Sequence, residues 1–116
     1  MGQSINPQID LGQVEGAFIQ GLGYMTMEEF LFACKYVDGK PVRTGKAETT
    51  GLSNYKIPGI TDIPVEFNVH LLQKQYNDKI TYGAKGVGEP PLCLGVCVMM
   101  AIRNAVGGDT VAPATI

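Results

Sequence analysis

The chain has 116 residues, a formal net charge of −2 and 45% hydrophobic residues, but only 17% charged ones. This composition is typical of a folded domain, and the length suits one hydrophobic core or one piece of a larger core. The basic residues form no dense cluster, which argues against a nucleic-acid partner. Because no apolar stretch reaches the roughly 20 residues that cross a bilayer, we also expect no membrane association.

A long helix is predicted near the N-terminus. It begins either at Asn6 with Pro7 following or at Asp10, because both starts offer a capping side chain. Apolar residues then recur with helical spacing at Leu11, Val14, Phe18, Leu22 and Met25. Gly12 and Gly16 within this helix predict packing of the helix on a sheet, or else a close approach by a neighbouring backbone or a ligand.

A β-hairpin is predicted after the helix. The turn signal Asp38-Gly39 separates residues 30–37, which are rich in aromatic and apolar side chains, from a returning segment at 41–44. Because Pro41 lacks a backbone donor, we expect this residue to lie at the edge of the hairpin.

Four shorter segments complete the prediction. Thr26 and Glu29 have the spacing of a capping box, which predicts a short second helical turn. Residues 45–62 read as a long loop of the kind that often carries function. Residues 63–71 alternate apolar and polar side chains and predict a half-buried strand, and residues 79–82 predict a second short strand after a turn.

The cysteine and histidine content argues against a metal site. The chain contains an odd number of cysteines, Cys34, Cys93 and Cys97, and no C-x-x-C pair. Its only histidine is His70. We therefore expect neither a disulfide framework nor a zinc site, and we expect buried free thiols in a reducing, cytoplasmic compartment. His70 falls on the polar side of a predicted strand and is not expected to take part in chemistry.

A glycine-rich segment precedes the last predicted helix. Residues 83–91 lead into a helix at 92–106 that is apolar on all sides, and Gly107-Gly108 end it. A helix of this kind is buried on most sides, so we expect protein beyond these residues to cover it. Glu89 stands at the helix start, where it serves either as a general base or as a helix cap.

Three motifs resemble those of one enzyme family. They are Ile5-Asn6-Pro7 through Gly12-Gln13-Val14-Glu15-Gly16-Ala17-Phe18, then Tyr55-Lys56-Ile57-Pro58 with Asp62-Ile63-Pro64-Val65-Glu66-Phe67, and then Lys85-Gly86-Val87-Gly88-Glu89-Pro90-Pro91. In this order they resemble the molybdenum-binding domain of the xanthine dehydrogenase and aldehyde oxidase family. The resemblance implies that residues 1–116 are a single segment, the C-terminal part of a molybdopterin-binding catalytic domain.

The resemblance also implies roles for individual residues. Glu89 matches the family's catalytic glutamate, the general base toward the hydroxyl on molybdenum, and Gln13 matches a glutamine that donates to the cofactor. Gln13 would otherwise be a capping residue. Lys85 is expected to support the loop and is not placed in the catalytic set. The complete enzyme would carry FAD and [2Fe-2S] clusters outside this segment and would act as a homodimer on a purine or an aldehyde, the Pro90-Pro91 pair favouring a purine.

Two hypotheses follow for a chain whose predicted fold is α+β, with two main helices and a small, mostly antiparallel sheet. In the first, the chain is a segment of a molybdenum hydroxylase whose activity needs the remainder of the polypeptide. In the second, it is a non-catalytic α+β module for assembly or interaction, with Glu89 as a helix cap.

Overall fold

Two α-helices and one antiparallel hairpin carry the fold in the computed structural model, which describes residues 1–72 and 77–108. In chain order the helices and strands are α1 (Pro7–Thr26), β1 (Phe32–Val37), β2 (Lys40–Ala47) and α2 (Val96–Ala105), with short 3-10 segments at Ile60–Asp62, Thr81–Gly83 and Pro90–Gly95. The predicted α+β class is confirmed.

Helix α1 begins at the first of the two predicted starts. The side chain of Asn6 accepts hydrogen bonds from the backbone amides of Gln8 and Ile9, and Pro7 occupies the first turn. At the other end, the hydroxyl of Thr26 donates to the carbonyl of Leu22 over 2.7 Å. The predicted second helical turn at Thr26 is therefore wrong, because this hydroxyl bonds back into α1 instead of capping a new helix.

The hairpin prediction is confirmed, and β2 extends further than expected. Asp38 and Gly39 both adopt positive φ values, 50° and 75°, as a two-residue hairpin turn requires. Pro41 pairs with Tyr36 and is tolerated because both strands of a two-stranded sheet are edges. Helix α1 packs against the Pro90–Gly95 segment and α2 but not against the hairpin, so the predicted packing of α1 on a sheet is wrong.

The two strands predicted at 63–71 and 79–82 do not form. Only the second half of the first segment keeps the alternation in burial. Phe67 and Val69 are half-buried, and the centre of the Phe67 ring lies 5.4 Å from that of Phe18, whereas Val65 is fully exposed. A period of two reports which side chains face inward, but a strand also needs a neighbouring strand to pair with. In the second segment the chain turns instead, and Tyr82 takes a left-handed φ of 55°.

The last helix is shorter than the predicted span of 92–106. Its beginning is replaced by the 3-10 segment Pro90–Gly95, a common arrangement at helix N-termini. Its end is as predicted: the amide of Gly108 donates to the carbonyl of Arg103 over 2.9 Å, and Gly107 and Gly108 both have φ above 90°. No residue of α2 is buried, so the described part of the chain does not cover this helix.

Two further findings concern the surface. Cys34, Cys93 and Cys97 are all exposed, so the prediction of buried thiols is wrong: no element in the described part of the chain packs over them. No helix within residues 1–72 and 77–108 has the length and apolar character needed to cross a membrane.

Candidate functional site

The carboxylate of Glu89 is exposed at the junction of the glycine-rich loop and the Pro90–Gly95 segment. Its backbone lies in the right-handed helical region, and its side chain caps no amide of that segment. Among the described residues it accepts no hydrogen bond and forms no ion pair, with Lys85 or any other cation. The capping interpretation of Glu89 is therefore wrong, and the carboxylate is available to a ligand.

The side chain of Gln13 is exposed in the middle of α1. Because the helix begins at Asn6, Gln13 lies too far along it to cap its first turn, and the capping interpretation of this residue is also wrong. Gly16 and Gln20 follow at intervals of three and seven residues, which places all three on one face of the helix.

The structure brings Gln13 and Glu89 to the same groove, although they are far apart in the sequence. A Cβ atom built on Gly88 would lie 3.8 Å from Oε1 of Gln13, so the loop passes directly over the helix. The groove has a volume of about 230 Å³, and its lining residues are Gly12, Gln13, Gly16, Ala17, Gln20, Gly88 and Glu89.

The position of Glu89 beside α1 depends on a close contact between two glycines. A Cβ atom on Gly21 would lie 2.2 Å from the carbonyl oxygen of Leu92, and one on Gly95 would lie 2.4 Å from the carbonyl carbon of Gly21. Real Cβ atoms do not approach that closely, so only glycine permits this crossing of α1 and the Pro90–Gly95 segment. The close approach predicted for α1 therefore occurs at Gly21 and not at Gly12 or Gly16.

Gly12 and Gly16 instead leave room beside the candidate site. A Cβ atom on either residue would meet nothing within 4 Å. Both line the groove next to Gln13, so their missing side chains widen the space in front of Glu89. Of the two explanations that the sequence left for these glycines, space for a ligand is the one that this geometry favours.

Gln20 is the site residue that sequence reasoning missed. It lines the groove described above and a second one of about 580 Å³, which Glu89, Tyr24 and Cys93 also line. The signal was present in the sequence, because Gln20 follows Gln13 by seven residues and so shares its helix face.

A third groove, of about 320 Å³, continues along α1 to the Tyr55-Lys56-Ile57-Pro58 motif. Gly16 and Gln20 line it together with Ile57 and Pro58. The hydroxyl of Tyr55 donates to the carboxylate of Glu28 over 2.7 Å. That hydrogen bond, together with burial, raises the pKa of Tyr55 to about 12 and fastens the motif to the end of α1.

The donors in the groove suit an organic cofactor better than a bare metal ion. Gln13 and Gln20 offer amides, and Glu89 is the one carboxylate in the lining. Within the described ranges, no three side chains of the His, Cys, Asp and Glu types lie close enough together to bind a metal ion. The arrangement can therefore hydrogen-bond a polar ligand and accept a proton from it.

Comparison with known proteins identifies the family. Residues 1–64 match the family described as "Molybdopterin cofactor-binding domain". The chain is 50% identical over 106 residues to a xanthine dehydrogenase of Dictyostelium discoideum, 47% identical over 108 residues to one of Oryza sativa subsp. japonica, and 46% identical over 106 residues to a xanthine dehydrogenase/oxidase of Rattus norvegicus.

In each case the similarity covers 91% of this chain but only 7 to 8% of the relative. The chain thus corresponds to a small part of those proteins. A similar stretch of 106 residues in a chain of 116 necessarily includes both Gln13 and Glu89. The chain belongs to the molybdopterin cofactor-binding domain family, and its similarity to xanthine dehydrogenases confirms the resemblance that its three motifs indicated.

Proposed function

We propose that residues 1–116 form one segment, the C-terminal part of the molybdenum-cofactor domain of a xanthine dehydrogenase-like oxidoreductase. The observation that carries this proposal is the meeting of Gln13 and Glu89 at one groove. The two residues come from different motifs of the family, and they become neighbours only through the fold.

The residues of the groove fit a molybdopterin cofactor. Gln13 would donate its amide to the cofactor, and the open faces of Gly12 and Gly16 leave space for a ligand to approach the helix. When bound, the molybdenum cofactor supplies the redox chemistry that accepts electrons from the substrate. The protein contributes orientation and proton transfer.

Glu89 acts as the general base in this proposal. Its carboxylate is exposed and has no hydrogen-bond partner among the described residues, so it can accept the proton of the attacking hydroxyl, which derives from water. A base that touches the reacting atoms typically contributes a rate factor of about 10² to 10⁴. Gln13 would hold the cofactor through its amide and so orient it toward Glu89.

A purine is the proposed substrate, with an aldehyde as the other possibility, since the relatives carry the name xanthine dehydrogenase. The complete protein would also contain FAD and [2Fe-2S] clusters outside these residues, form a homodimer and work in the cytoplasm. The remainder of the polypeptide is then the main partner of this segment.

The alternative, a non-catalytic α+β module, is less well supported. A module that folds independently needs its own core, whereas Ala17 is the only hydrophobic residue buried in the described part of the chain. Glu89 also lacks the capping role that this alternative assigned to it.

Substitution of Glu89 tests the proposal. In the complete polypeptide, Glu89→Gln keeps the shape of the side chain but removes its ability to accept a proton. We expect the molybdenum content to stay normal and kcat to fall by about 10² or more. Turnover is measured as substrate-dependent dye reduction, and molybdenum by elemental analysis.

Glu29→Gln provides the matched control, because Glu29 is exposed and lies outside the three grooves. This control variant should retain the kcat of the unmodified enzyme. Near-normal turnover in Glu89→Gln would refute the role of Glu89 as base.

A further inference from the structure

The glycine-rich loop is paired with the first residues of the chain. Gly2 and Ala84 form an isolated antiparallel bridge, and the amide of Lys85 donates to the carbonyl of Met1 over 2.6 Å. On the other side of the bridge, the amide of Gln3 donates to the carbonyl of Gly83 over 3.3 Å. We call the pairing of residues 1–3 with residues 83–85 the N-terminal bridge.

Only glycine fits at position 2 of this bridge. Gly2 has a φ of +77°, in the left-handed region that side chains disfavour. A Cβ atom built on it would lie 2.1 Å from the carbonyl oxygen of Gly83 and 3.3 Å from the amide nitrogen of Lys85. Any side chain at position 2 would therefore push the loop away from residues 1–3.

The loop itself contains a strained turn that the bridge contacts directly. Tyr82 and Gly83 have φ values of 55° and 63°, and the amide of Ala84 donates to the carbonyl of Thr81 across them. A tyrosine in the left-handed region is sterically disfavoured and persists only where neighbouring structure fixes it. The N-terminal bridge begins at the next residue and is the contact that can fix it.

We propose that Gly2 is a positioning residue for Glu89. The bridge ends at Lys85, and only residues 86–88 separate it from Glu89. The contact between Gly21 and Gly95 holds the far end of this short stretch beside α1, and the bridge holds its near end at residues 83–85. Because the stretch is only three residues long, a shift of residues 83–85 must change the path of the chain to the carboxylate. The inference rests on the proposed function, since it assigns Gly2 an effect that acts through Glu89.

Gly2→Ala in the complete polypeptide tests the inference, with Gly39→Ala as the matched control. Gly39 has nearly the same φ, +75°, but a Cβ atom there would meet nothing within 4 Å, and the hairpin contacts neither helix. Both variants carry the left-handed strain, and only Gly2→Ala displaces the loop.

We expect the kcat of Gly2→Ala to be at least about tenfold below that of Gly39→Ala, because small misplacements of a catalytic group are costly. KM and molybdenum content should match the control, and amide hydrogen exchange over residues 83–88 should become faster in Gly2→Ala alone. Equal kcat values in the two variants, or loss of molybdenum from Gly2→Ala, would overturn the inference.

If Gly2→Ala does not fold, Gln3→Pro is measured instead. The proline removes the backbone amide that donates to the carbonyl of Gly83 and adds no Cβ atom at position 2. The expected and contradicting results are the same as for Gly2→Ala.

Glu89→Gln, measured beside these variants, separates the two proposals. If Glu89→Gln remains active, the proposed function fails. If Glu89→Gln is inactive and Gly2→Ala resembles Gly39→Ala, only the role of Gly2 fails.

Discussion

Glu28 and Glu89 are two carboxylates beside α1 that differ in what surrounds them. Glu28 accepts a hydrogen bond from the hydroxyl of Tyr55, and the side chains of Glu28 and Pro58 both lie against Gly23, so Glu28 joins the Tyr55-Lys56-Ile57-Pro58 motif to the helix. Glu89 is exposed and makes no such bond within the described ranges. A carboxylate already occupied by a phenol is a poor general base, so the difference favours Glu89 for proton transfer and Glu28 for structure.

Substitution of Tyr55 tests the structural role of Glu28. The pKa of Tyr55 is raised to about 12 in the folded chain, against an ordinary value near 10. The hydrogen bond therefore stabilises the fold fully below about pH 10, and this contribution is lost as the pH rises through about 12. A phenolate absorbance titration of the complete polypeptide should contain one tyrosine with a midpoint near 12 that disappears in Tyr55→Phe.

Tyr36→Phe is the control for this titration, because Tyr36 is exposed on the hairpin. It should leave the late-titrating phenol in place. If the absorbance change that is lost in Tyr55→Phe instead has its midpoint near pH 10, the hydrogen bond from Tyr55 to Glu28 does not form in solution.

Among the elements, most local signals predicted well, apart from the capping box at Thr26, whereas the two strands that needed a distant partner did not form. Asn6 with Pro7 began α1, Asp38-Gly39 made the hairpin turn, and Gly107-Gly108 ended the last helix, because each depends on a few neighbouring residues. Residues 63–71 and 79–82 failed as strands because strand formation depends on a partner elsewhere in the chain.

The candidate site was also predictable only in part from the sequence. Glu89 and Gln13 were identified from motifs, and their proximity is a property of the fold. What the sequence could not show is the crossing at Gly21 and Gly95, since four glycines in α1 look alike in the sequence and only the packed structure reveals which of them contacts another backbone.

The crossing predicts opposite effects for two glycine substitutions in α1. In the cofactor-free complete polypeptide, Gly21→Ala should destabilise α1 by about 1 to 3 kcal/mol, because its Cβ would overlap the Leu92 carbonyl. Gly16→Ala meets open space and should stabilise the helix by up to about 1 kcal/mol. Amide hydrogen exchange of α1 should thus accelerate in the first variant and slow in the second. Equal protection in the two would contradict the crossing.

At the scale of the whole molecule, the chain exposes more surface than a compact domain of its mass does. Its accessible area is 8957 Å², whereas a compact monomer of this mass has about 6,100 Å². Its radius of gyration is 19.0 Å, against about 13 Å for a compact domain of this length. Large apolar side chains such as Ile60 and Leu72 are 84% and 80% exposed. These surfaces are what the remainder of a larger polypeptide would cover.

The isolated chain should therefore associate with itself. We expect sedimentation to give a mass above the 12.4 kDa of one chain, and thermal unfolding to lack a cooperative transition. A monomer that unfolds cooperatively would contradict the view that this surface belongs to a larger core.

Molybdenum content, measured together with hypoxanthine-dependent dye reduction, distinguishes a segment of a larger molybdenum enzyme from an independent module. Both are determined on this chain and on the longest natural polypeptide that contains it. We predict that only the long polypeptide contains molybdenum and turns over, because the proposed site needs residues beyond Gln13 and Glu89. Absence of molybdenum from both, or turnover by this chain alone, would contradict the account.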